Sequence, residues 1–165
     1  MTRYDVFTTS TSGQFCGRSP PSTVRPSWWT RWWIAVTGVV LASSSDADLV
    51  DALLDIAQVG HRLHAVVTGS DEVASKPAPD MVALATERLH LDAPLRYCDV
   101  GGGPAVVVGD ATWDVESAVA AGASAIGLRS GGVSADRLLA AGAISVYAGP
   151  RDLLDLLEDS PLGTC

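Results

Sequence analysis

From Val36 onward, short runs of β-branched and other apolar residues alternate with stretches whose apolar residues recur at helical spacing. This alternation constrains the chain more than any other feature. Strands that are each followed by a helix meet side by side as a parallel sheet with helices packed on its faces. The strand-like runs are VVLA (Val39 to Ala42), LHAVVTG (Leu63 to Gly69), Val106 to Val108, SAIGL (Ser124 to Leu128) and ISVY (Ile144 to Tyr147). Between them the pattern predicts a helix after SSSD, capped by Ser45 or Asp46, with Leu49, Val50, Leu53, Leu54 and Ile56 on one face and Gly60 closing it. Further helices are expected over Asp80 to Leu89, from Trp113 to Ala121, from Ser134 and from Pro150, with Gly122 and Gly142 as left-handed helix stops. The expectation is a three-layer α/β domain with a mostly parallel sheet.

At 165 residues the chain suits one domain, and its net charge of -8 argues against a nucleic-acid partner, since phosphate backbones repel an acidic surface. The run WWIAVTGVVLA (Trp32 to Ala42) is too short to span a bilayer and sits behind Pro20, Pro21 and Pro26, so no membrane segment is expected and the run reads as a buried strand. Cys16, Cys98 and Cys165 show neither disulfide nor zinc spacing, which suits a reducing, cytoplasmic setting. Residues 1–35 break the pattern. From Thr8 to Trp33 they mix Ser, Thr, Pro and Arg with Trp28, Trp29, Trp32 and Trp33, and show neither a helical nor a strand period. The tryptophans read as large apolar groups docked on a neighbouring surface rather than as a stacking platform.

In open parallel sheets, ligands bind beyond the carboxyl ends of the strands, so polar residues just after apolar runs are the first candidates. Ser43 and Ser44 follow VVLA beside a helix start, where hydroxyls and backbone N–H groups can receive a phosphate oxygen or simply cap the helix. Lys76, before Pro77, is a cation on a loop. Asp110 follows Gly109 at a strand end and Asp114 stands one helical turn later, so both carboxylates can address one point. Such hard oxygen ligands suit Mg²⁺, although the same two residues could serve only as helix cap and first-turn charge. GGGP (Gly101 to Pro104) lacks the Gly-Lys-Ser ending of a phosphate-binding loop, and His61, His64 and His90 have no ligand spacing. Trp113 is expected to pack beneath the sheet end.

Taken together, VVLASSS, SKPAPDM and VVVGDATWDVESAVAAG, in this order and spacing, resemble the last three motifs of the haloacid dehalogenase superfamily, and most nearly its phosphoglycolate phosphatase and β-phosphoglucomutase branch. The resemblance runs from about Val39 to the C-terminus and includes GLRSGGVSADRLLAAGA. It implies a Rossmann-like core over residues 36–165 and Mg²⁺-dependent phosphoryl transfer through an aspartyl phosphate on small phosphorylated metabolites. It also implies roles: Ser43 and Ser44 bind the phosphoryl group, Lys76 steadies nucleophile and phosphate, and Asp110 with Asp114 serves the metal.

Members of the superfamily begin with an apolar strand and Asp-x-Asp-Gly-Thr, and this chain has no such motif. Residues 3–7 can form the strand, which would lie centrally, between the strands ending at Ala42 and Val108. That places Thr8 and Ser10 where the two aspartates belong. A threonine hydroxyl without an adjacent base is a weak nucleophile at neutral pH and adds no charge to hold a metal. The expectation is therefore an impaired enzyme, or alternatively a non-catalytic remnant that binds phosphate or a partner. Too few residues separate Phe7 from Val39 for the helical cap domain of lidded relatives.

Read one base out of frame from the third base of codon 8, Thr-Thr-Ser-Thr permits Asp-Val-Asp, and Gly-Thr follows after one further residue. Residues from about Thr8 to the mid-thirties thus read as a frame-shifted family N-terminus. The coding DNA is expected to carry G as the third base of codons 8 and 10, with no stop in the shifted frame. Another base at either position eliminates this explanation.

Overall fold

The computed structural model describes residues 4–9, 38–92 and 105–163, with backbone alone for residues 4–9 and 90–92. Ser10, the tryptophan-rich stretch before Val36, GGGP and the three cysteines, with the expectations attached to them, lie outside the described residues, as does the question of a cap domain. The elements run β1 (Tyr4–Thr9), β2 (Gly38–Ser43), α1 (Ala47–Ala57), β3 (Ala65–Val67), α2 (Asp80–Asp92), β4 (Val106–Gly109), α3 (Thr112–Ala120), β5 (Ser124–Leu128), α4 (Ala135–Ala140), β6 (Ser145–Tyr147) and α5 (Pro150–Asp155). The described strands form one six-stranded sheet in the order β3-β2-β1-β4-β5-β6. Every described pairing is parallel.

Alternation along the strands divides the apolar residues between two faces. Val40, Ala42, Val107 and Ala125 join Met81, Val82, Ala85 and Leu89 of α2, Val115 and Ala118 of α3 and Leu138 of α4 in one core. Val39, Val106, Val108, Ile126 and Leu128 point the other way and pack with Leu153 of α5 and Leu162. A sheet buried on both faces needs near-continuous apolar strands, as VVV at β4 supplies. Right-handed crossovers explain the layering: β4, β5 and β6 succeed one another in one direction across the sheet, while β2 and β3 run in the other, so α1 lies on the face opposite α2, α3 and α4.

β1 lies between β2 and β4, in the central place expected for it, and extends two residues beyond Phe7: Thr8 is in register with Ala42 and Thr9 with Ser43. The outermost strands, β3 and β6, are three residues each. Gly122 and Gly142 stop α3 and α4 with φ of 74° and 110°, a left-handed backbone that glycine adopts without strain.

Three expectations are corrected. The helix α1 ends at Gln58, itself left-handed at φ 55°, and Gly60 instead opens a short 3-10 turn. Asp46 occupies the N-cap position, as expected, but its side chain makes no cap hydrogen bond, and the N–H of Ala47 donates to Ser70 Oγ at 3.0 Å. Of the apolar residues of α1 only Val50 is buried, while Leu49, Leu53 and Ile56 are exposed, so the described residues cover a narrower stripe than the sequence pattern suggests. Trp113 is 46% exposed rather than tucked under the sheet. The buried face of α3 is Asp114, Val115, Ser117 and Ala118, and helical geometry turns residue 113 away from it. No helix among the described residues is long and apolar enough to cross a membrane.

Candidate active site

The chain reverses its direction across the sheet between β1 and β4, and the crevice of an open parallel sheet forms outside the carboxyl ends of the strands at such a switch. Ser43 ends β2, Thr9 ends β1 and Asp110 follows β4, so the topology alone gathers them on one rim. Lys76 reaches the same rim from the long loop after β3. Its Nζ donates to the Ala42 carbonyl at 3.0 Å and to Asp114 Oδ1 at 2.9 Å. Both side chains of this ion pair are buried, with 2% and 0% of their surface exposed.

Asp114 occupies the third position of α3, and its Oδ2 accepts the N–H of Ala111, the residue before the helix, at 3.2 Å. A carboxylate there satisfies a helix-start donor and also sits favourably in the helix dipole. Three residues on, the fully buried Ser117 donates from Oγ to the Ala78 carbonyl at 2.7 Å. Residues 114 and 117 share one helix face. The helix α3 therefore grips the 76–78 loop at two points, and Ser117 is a contributor that the sequence reading missed.

Ser43 is buried and its Oγ accepts the Ser45 N–H at 3.2 Å, which curls the SSS turn, whereas Ser44 is exposed. Behind that turn the Gly69 N–H donates to the Ser45 carbonyl at 2.7 Å. Next to it Asp71 Oδ2 accepts the Thr68 N–H at 2.7 Å, and its Oδ1 meets Arg88 at 2.5 Å. Arg88 also donates to the Val66 carbonyl, tying α2 to the end of β3. The Thr68 N–H bond, with help from Arg88, holds the Asp71 carboxyl below its usual range despite the opposing effect of burial.

Asp110 is half-buried directly after β4, and the turn Arg129–Gly131 following β5 presses on it. The structure thus brings Ser43, Lys76, Asp114 and Asp110 together through consecutive contacts at Ala42 and Ala111. His64 is drawn elsewhere: its Nδ1 accepts the Val39 N–H at 3.1 Å, at the opposite end of β2. Among the described residues no group of three or more His, Cys, Asp or Glu side chains is clustered to hold a metal.

Sheet order, crossover pattern and rim cluster define a Rossmann-like α/β domain with a buried lysine–aspartate pair at the rim where its inner strands end. A family model of the haloacid dehalogenase-like hydrolases matches residues 35–122, just over half of the chain, and the chain belongs to that family. Among solved structures, a hydrolase from Pseudomonas syringae is 30% identical with a TM-score of 0.65, the match covering 79% of this chain and 56% of that one. A protein provisionally named β-phosphoglucomutase from Thermotoga maritima is 24% identical with a TM-score of 0.65, covering 82% of this chain and 58% of that one. A protein provisionally named phosphoglycolate phosphatase from Lactobacillus delbrueckii subsp. bulgaricus is 20% identical with a TM-score of 0.64, covering 83% and 52%. The last two likenesses speak for the fold. This chain spans a little over half the length of each of the three. No curated protein sequence matches significantly.

Removing one member of a buried ion pair strands the other charge, so Lys76→Met is expected to destabilise the protein by about 3–5 kcal/mol in urea unfolding. Lys76→Met combined with Asp114→Asn, which keeps an acceptor for Ala111, should cost less than Lys76→Met alone. Equal losses would show that the pair is not electrostatically coupled. The Asp71 carboxyl, titrating below its ordinary value of 3.8, stabilises the fold fully above that pH and ceases to do so as the pH falls through its lowered native value. Unfolding curves of the protein and of Asp71→Asn should therefore differ at pH 7 and converge in strong acid.

Proposed function

We propose that this chain is a phosphoryl-handling member of its family. In this reading Ser43, Ser44 and Lys76 receive the phosphoryl group of a small phosphorylated metabolite, and turnover is severely impaired because no acid stands at position 8. The convergence of Lys76, the carbonyl next to Ser43 and Asp114 on one rim carries this reading. An ammonium group has three N–H donors. Lys76 places two of them on Ala42 and Asp114, which leaves one for a phosphoryl oxygen. Ser43 Oγ already accepts from Ser45, so its own proton is available to donate to the same oxygen. Phosphoryl transfer depends chiefly on positioning and charge neutralisation, which this arrangement supplies.

The donor chemistry fits Mg²⁺, which binds through one or two protein carboxylates together with waters and substrate phosphate. Asp110 and Asp114 would hold it, Asp110 directly on the rim and Asp114 from one turn behind, with its oxygens shared by Lys76 and Ala111. Bound there, the ion would neutralise charge on the transferring group. The proposal extends to the division of the chain into an irregular segment 1–35, frame-shifted from about Thr8 onward, and a core 36–165, and to a cytoplasmic setting in which the cysteines stay reduced.

A second reading, a binding remnant without chemistry, is favoured by one observation: the backbone of Thr8 lies in register with Ala42, beside Ser43, and threonine supplies neither the acid nor the charge. Hydrolysis of an aryl phosphate with Mg²⁺ separates the two. No turnover is expected for the unmodified chain, measurable turnover for Thr8→Asp with Ser10→Asp, and its loss when Lys76→Ala is added. Silence in both the unmodified and the doubly restored chain would favour the remnant, and turnover by the unmodified chain would refute the impairment.

A further inference from the structure

Two glycines stand where the loops of the flanking strands touch the loops of the proposed site. Gly131 lies in the turn after β5, against Asp110. A Cβ built on it would fall 2.5 Å from the Asp110 carbonyl oxygen, 2.8 Å from its Cγ and 2.9 Å from its Oδ2. Gly69 lies after β3, against the serine turn, where a Cβ would fall 2.5 Å from the Ser44 carbonyl oxygen and 3.2 Å from that of Ser45. Neither is among the described glycines with positive φ, which are Gly122, Gly132 and Gly142. Conformational freedom therefore does not explain them, and space does. The nearest atom in each case is a backbone oxygen, which cannot swing aside as a side-chain end can.

The two contacts act on different parts of the site. Gly131 walls one side of the carboxylate through which the metal would be held. Gly69 sets the height of the turn that would carry the phosphoryl group, and its N–H bond to the Ser45 carbonyl fixes the distance. We infer that Gly131 and Gly69 are separate positioning residues, the first for the divalent cation through Asp110 and the second for the phosphoryl oxygens through Ser43–Ser45. The inference rests on the reading of the site given above. Outer-shell supports of this kind govern affinity because they orient the groups that touch the ligand.

Both probes are applied to the unmodified chain and to each variant. Mn²⁺ binding is followed by electron paramagnetic resonance, and metal-free binding of inorganic phosphate by the amide shifts of Ser43 to Ser45. Gly131→Ala is expected to weaken Mn²⁺ binding about tenfold or more while leaving phosphate affinity nearly unchanged, and Gly69→Ala to do the reverse. Gly149→Ala, at a glycine with nothing within 4 Å of an added Cβ, should move neither. General loosening of the fold would lower both affinities together, and that result overturns the assignment, as would two variants indistinguishable from the unmodified chain. A variant that no longer folds also overturns it, since its contact would then serve the fold rather than the site. An unmodified chain that binds phosphate but no Mn²⁺ refutes the metal reading and the Gly131 role with it, while Gly69 is still judged by phosphate.

Discussion

The buried contact between Lys76 and Asp114 is the constraint on which the rest of the rim depends. Two opposite charges out of water tolerate little error, because a displaced partner leaves the other without solvation. Their separation of 2.9 Å therefore ties the loop after β3 to the first turn of α3, and the second lysine bond, to Ala42, brings in the end of β2. Paired buried charges add little net stability compared with a well-packed apolar alternative, so the consequence here is geometric. Ser117 reinforces the same seam through Ala78. Three segments distant in sequence are held in one arrangement around the point where the inner strands end.

Around that seam the molecule is arranged in two tiers. The ends of β2 and β4, with Lys76 from the far part of the loop after β3, bring forward the groups that would touch a ligand, while Gly69 at the start of that loop and Gly131 in the turn after β5 stand behind them. Regular secondary structure positions the first tier, and close backbone approach sets its distance from the second. Such a scaffold does not require that the chemistry be intact. A chain that lost its attacking acid would keep the socket, because neither the ion pair nor the glycine contacts involve position 8.

Much of this was readable beforehand because it rests on local pattern. The strand boundaries at Ser124–Leu128, the helix stops at Gly122 and Gly142, and the spacing of Asp110 and Asp114 follow from periodicity and backbone preference. From its own surroundings Lys76 could be singled out only as a cation on a loop, and its expected role came from the family resemblance of SKPAPDM. Its pairing spans 38 residues, and nothing in the neighbourhood of either residue announces it. Local pattern also misled: Leu49, Val50, Leu53, Leu54 and Ile56 of α1 suggested a broad buried face, and of them only Val50 is buried. Trp113 shows that hydrophobicity alone does not decide burial when helix phase assigns the inward positions to Asp114 and Val115. Gly69 and Gly131 were invisible as supports, because a glycine in a sequence does not disclose whether backbone conformation or lack of room demands it.

The brevity of the two outermost strands has its own consequence. With only three residues each, β3 and β6 present few open backbone donors and acceptors at the margins of the sheet. A passing extended chain would find too short a template to add itself as another ribbon. As far as the described residues go, the sheet is therefore poorly suited to growth by edge-to-edge stacking.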